Sequence, residues 1–272
     1  MGKLKGALAR LKATVKTSKK KASSSHQQPT APKNVSKDSK APKKIMPYTL
    51  EDEILLVGEG NFSFANALAL LLQSGENITA TCYDSEEILN QKYDDAKAHI
   101  ESLLSLQGTV MHGVDATQLS KHKRLKLKRF SKIIFNFPHT GSGIKDQEIN
   151  IRTNQKLLND FFVTAKEHVS IPKTKFEQPG EIHVTIKDGE PYASWNIRKI
   201  ANQCGLQCQT SFKFHPELYD SYRHRRTLGY QQGLSDDDNN EVSSARTYVF
   251  VIAREPENPK KRKKGGDDSD SD

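Results

Sequence analysis

Ile54-Leu55-Leu56-Val57-Gly58-Glu59-Gly60-Asn61-Phe62-Ser63-Phe64-Ala65 is the stretch that decides the fold of this chain. Four apolar residues run straight into Gly-x-Gly, and an apolar helical pattern follows through Phe64, Leu68, Leu71 and Leu72. A buried strand, a glycine turn and a helix, in that order, open the nucleotide-cofactor domains of the α/β class. Ser74-Gly75 supplies the C-terminal stop of that helix.

Upstream of this stretch almost nothing has folding character. Residues 1–44 hold thirteen Lys and Arg against a single acid, Asp38, in a 272-residue chain of net charge +9. The basic excess therefore belongs to the tail, and the remainder is slightly acidic. Pro42 and Pro47 mark a linker. We expect a disordered Lys-rich tail over 1–46, one folded domain over 47–255, and a disordered charged tail over 256–272. The last carries Lys260-Lys261-Arg262-Lys263-Lys264 and then Asp267, Asp268, Asp270 and Asp272. Such segments lack the apolar surface to offset their chain entropy. A basic tail neutralises phosphates without reading sequence, which predicts contact with nucleic acid or addressing to the nucleus and nucleolus. Leu4, Leu8, Leu11 and Val15 among lysines also fit a mitochondrial transit helix, although lysine outnumbering arginine counts against it.

Cys82, Cys204 and Cys208 give neither a disulfide framework nor the spacing of a metal site. No apolar run approaches the roughly 20 residues that span a bilayer. No metal, no membrane and a monomeric state are expected.

Beyond the glycine turn, strands and helices alternate. Strands are predicted over 54–57, 78–83, near Val110 and Met111, and over 132–137, 181–186, 206–214 and 247–253. Helices are predicted from Ser85, as N-cap, to about Leu104, then over 145–168 and 194–204. Alternation argues for a mostly parallel sheet covered on both faces. The last two strands have no helix between them and should pair antiparallel. Seven strands closed by an antiparallel pair match a Rossmann-like class I methyltransferase rather than a dehydrogenase.

The glycine turn narrows the cofactor. A dinucleotide fingerprint wants a third glycine where this chain has Ser63, and Glu59 would repel a pyrophosphate. S-adenosylmethionine has no phosphate and carries an ammonium and a sulfonium, so an acid in the loop suits it. Gly58, Glu59, Gly60, Asn61 and Phe62 are the candidate loop contacts. Asp84, at the end of the second strand, can accept from ribose hydroxyls, or can serve only as part of a helix start. Asp115, after the third strand, can meet the adenine amino group, or can be a turn aspartate.

The fourth strand ends in Asn136-Phe137-Pro138-His139-Thr140-Gly141. Base N-methyltransferases carry Asp/Asn-Pro-Pro-aromatic here, and the amide and backbone carbonyls hold the nitrogen to be methylated. Asn136 and Pro138 keep that logic, with Phe137 and His139 as the other members of the candidate catalytic segment. A uridine N3 must lose a proton, and His139 is the candidate base, or else a stacking or hydrogen-bonding contact. C5 methylation is disfavoured because no cysteine occupies this segment. Downstream, Tyr222-Arg223-His224-Arg225-Arg226 interleaves aromatic and basic residues, so Tyr222, Arg223, Arg225 and Arg226 are candidate RNA contacts.

Taken together, 57–64, 135–139 and 222–229 resemble the eukaryotic 25S rRNA (uridine-N3)-methyltransferase family, over about 47–254. The resemblance implies S-adenosylmethionine as cofactor, large-subunit rRNA in a pre-ribosomal particle as partner, and a nucleolar site of action. A competing reading keeps the fold as a non-catalytic RNA-binding assembly factor.

Overall fold

The computed structural model describes residues 46–174, 176–227 and 238–253. Both charged tails, apart from Met46, and 228–237 of the last loop lie outside the described residues. Strands β1 (Ile54–Val57), β2 (Ile78–Thr81), β3 (Thr109–Met111), β4 (Lys132–Asn136), β5 (Glu181–Ile186), β6 (Leu206–Lys213) and β7 (Arg246–Ile252) form one sheet. Their order is β3-β2-β1-β4-β5-β7-β6. The first five run parallel, and β7 is antiparallel to both β5 and β6. The antiparallel ending follows from the missing crossover helix, as the sequence predicts. The order reverses between β1 and β4, and the crevice beyond those strand ends is where open α/β sheets bind ligands.

Alternate residues of the central strands serve opposite faces. Leu55, Val57, Ile133 and Phe135 pack with Leu158, Phe161 and Phe162 of α4 (Gln147–Lys166). Ile54, Leu56 and Ile134 pack with Ala65 and Leu68 of α1 (Ser63–Leu72) on the other side. Both faces being covered explains why β1 reads as an unbroken apolar run rather than an alternating one.

Two predicted helices are revised. The span from Ser85 divides into α2 (Glu86–Lys92) and α3 (Ala96–Ser105). Ser85 does cap α2, accepting the Ile88 N–H at 3.4 Å. The break falls where Tyr93 turns extended and buries its ring, and where the Asp95 carboxylate is drawn to tertiary partners. The 194–204 segment is a 3-10 turn, Ala193–Trp195, followed by a short α5 (Ile197–Gln203). The last loop holds a 3-10 turn, Pro216–Leu218, and the single-turn α6 (Asp238–Glu241).

Candidate active site

The C-terminal ends of β1, β2 and β4 open onto a cleft of about 560 Å³. Gly58 leaves β1 at φ +69°, and a Cβ there would lie 2.5 Å from Cε2 of Phe135. Only glycine fits both the turn and that approach. Phe62, the residue before Ser63, takes a left-handed backbone at φ +61°, with its ring fully buried and edge-on to His112. Phe62 therefore lies in the core and not on the cleft wall.

The loop caps its own helix. Asn61 Oδ1 accepts the Ser63 N–H at 3.2 Å, and Glu59 Oε2 accepts the Ala65 N–H at 3.2 Å. A phosphate arriving at the N-terminus of α1 would meet the Glu59 carboxylate already seated there, and two of the helix-end donors are already taken by Asn61 and Glu59. Burial pushes the Glu59 carboxyl up to about 7, against the opposing pull of the Ala65 N–H. A cationic ligand would restore its charge.

Asp84, past the end of β2, receives Lys92 Nζ on Oδ1 at 2.9 Å and on Oδ2 at 2.8 Å. Both residues line the cleft. A carboxylate keeps further lone pairs for ribose hydroxyls while so engaged. Asp115 also lines the cleft but organises its own turn. Its Oδ1 accepts from the Thr117 N–H at 2.8 Å and hydroxyl at 2.7 Å, and its Oδ2 from Gln118 at 2.9 Å.

At the end of β4, Asn136 Oδ1 accepts the Thr185 hydroxyl at 2.7 Å, while Asn136 Nδ2 is buried with no partner among the described residues. Phe137 turns the chain at φ +52°, an uncommon conformation for a bulky residue, and its N–H donates to Thr185 O at 2.8 Å. Backbone strain of this kind collects at functional sites. Pro138 is buried and lines a neighbouring cavity of about 360 Å³ instead of the cleft. His139 lines both. Its Nδ1 accepts the Gly141 N–H at 2.9 Å, so the neutral ring carries its proton on Nε2. Burial, with Lys187 nearby, pushes its pKa down and keeps it neutral. In this setting His139 offers a donor and no free basic nitrogen.

Residues 222–227 lie along both cavities. Ser63 Oγ donates to Arg223 O at 2.9 Å and accepts the Arg223 N–H at 3.0 Å, and Tyr93 Oη donates to Arg226 O at 3.0 Å. Arg225 pairs with Asp95 Oδ2 at 3.1 Å, which also accepts from Asn61 Nδ2 at 2.9 Å. Burial acts to raise the Asp95 carboxyl, but hydrogen bonds from His99 and Asn61 and the charge of Arg225 outweigh it and hold the pKa low. Arg226 pairs with Glu241, which also takes Lys187 at 2.8 Å. Arg223 and Arg226 are exposed, whereas Tyr222 is not. Tyr222 packs edge-on to Phe64 and Phe214, and its hydroxyl is 3.1 Å from His224 Nδ1. The Tyr222 ring thus packs into the core while the residue also borders the cleft. Lys92 and Tyr93 line the cleft, and Asp95 and Thr185 hold residues that do, although the motifs marked none of the four. A tyrosine between Lys92 and the Asp94-Asp95 pair was the available hint.

The sheet order, the glycine turn after β1, the acid after β2 and the Asn-x-Pro turn after β4 define a class I methyltransferase, whose cofactor is S-adenosylmethionine. Among the described residues no group of three or more His, Cys, Asp or Glu could hold a metal ion. The family model described as rRNA (uridine-N3-)-methyltransferase BTM5-like matches residues 55–226, and the chain belongs to that family. It is 38% identical to an uncharacterized protein of Arabidopsis thaliana, over 77% of this chain and 97% of that one. It is 30% identical to the 25S rRNA (uridine(2634)-N(3))-methyltransferase of Saccharomyces cerevisiae, over 99% of this chain and 96% of that one. The Arabidopsis heavy metal-associated isoprenylated plant protein 41 is 36% identical, over 67% of this chain but only 34% of its own length.

Proposed function

We propose that this chain methylates N3 of a uridine in large-subunit rRNA of the 25S type, within a pre-ribosomal particle in the nucleolus, and acts as a monomer. The observation that carries the cofactor part of this reading is the Glu59 carboxylate on the Ala65 N–H, which turns a helix end suited to phosphate into one suited to a cation. When bound, S-adenosylmethionine supplies a methyl group on a sulfonium. Gly58 and Gly60 let the backbone approach it, Glu59 faces its positive charges, Asp84 accepts from its ribose, and Asp115 lies on the adenine side. Asn61 serves through its backbone, since its side chain is engaged by Asp95, and Phe62 acts only by holding the turn from the core.

Asn136 to His139 face the target uridine. Holding nucleophile and methyl in line while excluding water is most of what this displacement asks of a protein. Arg223 and Arg226 take RNA phosphates, together with the basic tail at 1–46 and the basic cluster at 260–264, which also address the protein to the nucleolus. The names of the yeast relative and of the family support this reading. The test is transfer of labelled methyl from S-adenosylmethionine to pre-ribosomal RNA by wild type and Asp84→Ala. Labelled methyl-uridine from wild type alone supports it, and cofactor binding without transfer contradicts it.

A further inference from the structure

The smaller cavity of about 360 Å³ adjoins the cofactor cleft and shares Phe137, His139, Gly141, His224, Arg225 and Thr227 with it. It sits where the chain leaves β4 and β5, two parallel strands whose C-terminal ends share one edge. Trp195 lines it. The Trp195 side chain is 1% exposed, and its Nε1–H is buried with no partner among the described residues. An unpartnered buried N–H is costly, and in a ligand site it is the mark of a donor awaiting an acceptor. His139, whose ring centroid is 6.3 Å from that of Trp195, presents its own Nε2–H. Asn136 Nδ2 is a third unpartnered donor on the adjoining wall.

Donors of this kind select among pyrimidines. Uracil carries carbonyl oxygens on both sides of N3, and both gain charge when N3 loses its proton. Cytosine places an amino group at one of those positions, where a donor would oppose it. We propose that Trp195 is a specificity-determining and positioning residue, its indole N–H donating to a carbonyl of the target uracil held in the smaller cavity. The proposal rests on the uridine-N3 reading above. The N3 proton passes to water, the N3–CH3 bond forms, and the S–CH3 bond breaks with its electron pair going to sulfur. Donors flanking N3 favour the anion, which removes the need for a side-chain base.

The test is single-turnover methyl transfer to pre-ribosomal RNA between about pH 6 and pH 9, comparing wild type with Trp195→Phe. Loss of a hydrogen bond to a charged group predicts a roughly 10- to 100-fold slower step near neutrality. The deficit should shrink as pH rises, because alkali forms the anion without help, and S-adenosylmethionine affinity should be unchanged. Trp195 is the only tryptophan in the chain. Global replacement of tryptophan by benzothienylalanine therefore exchanges this one N–H for sulfur in a ring of the same shape, and should give the same profile. Rates equal to wild type, or a deficit constant across pH, would overturn the proposal. Absence of 3-methyluridine from wild type would instead overturn the reading beneath it.

Discussion

Lys92 Nζ lies 2.9 and 2.8 Å from the two carboxylate oxygens of Asp84, bridging the end of α2 to the end of β2 on the wall of the cofactor cleft. The pair orients the carboxylate before the cofactor arrives, which lowers the ordering cost of binding. Asp84→Asn should weaken S-adenosylmethionine binding by at least tenfold, since an amide accepts through one oxygen only. Lys92→Met should weaken it less, because the carboxylate survives. Calorimetric titration of both variants checks the ranking, and equal losses would contradict it.

Glu59 gives a pH signature. Its carboxyl is raised from the ordinary 4.5 to about 7, so the free protein carries the proton below that pH. A cationic cofactor favours the ionised form, so binding releases a proton. Affinity should therefore rise with pH up to about 7, by at most tenfold per unit, and level off above it. Glu59→Gln should bind more weakly and with a flat pH profile. Titrations in buffers of different ionisation enthalpy measure the released proton directly.

Asp95 works in the opposite sense. Its folded pKa lies below the ordinary 3.8, so its pairing with Arg225 and Asn61 stabilises the fold above about pH 4. That stability is lost as pH falls through the depressed value. Asp95→Asn should cost about 1–3 kcal/mol near neutrality, and less in acid. Thermal melts against pH test this, and the same variant should loosen the 222–227 segment, detectable as faster amide exchange at Arg223.

Gly58→Ala forces a Cβ into the ring of Phe135 at a backbone angle that alanine avoids. A stability loss of about 1–3 kcal/mol is expected, with cofactor binding abolished or nearly so. Phe135→Leu in the same chain should recover part of the stability but little of the binding, because the strained turn stays.

The sheet and the three strand-end signals were legible because they are local. Ile54 to Gly60 announces a doubly covered strand and its turn, and Glu181 to Ile186 reads as a strand with the bounds observed. What escaped depends on partners distant in sequence. Tyr222 looks like a stacking residue beside its arginines, but Phe64 and Phe214, more than a hundred and only eight positions away respectively, close over it. Tyr93 ends α2 without Gly or Pro, because its hydroxyl is drawn to the backbone of Arg226. Trp195 gave no motif at all. Its interest lies in an N–H that the folded chain leaves unpaired. Counting the third glycine at Ser63 likewise missed that Phe62 adopts the left-handed turn itself.

The chemical identity of the product separates N3 methylation from every other methyl transfer to RNA. Pre-ribosomal RNA labelled from S-adenosylmethionine by the full chain should be digested to nucleosides and separated against authentic standards. Label is expected in 3-methyluridine alone, and should be lost with Asn136→Ala while cofactor binding persists. Label in a ribose-methylated nucleoside or in 5-methyluridine, or undiminished 3-methyluridine from Asn136→Ala, would contradict it.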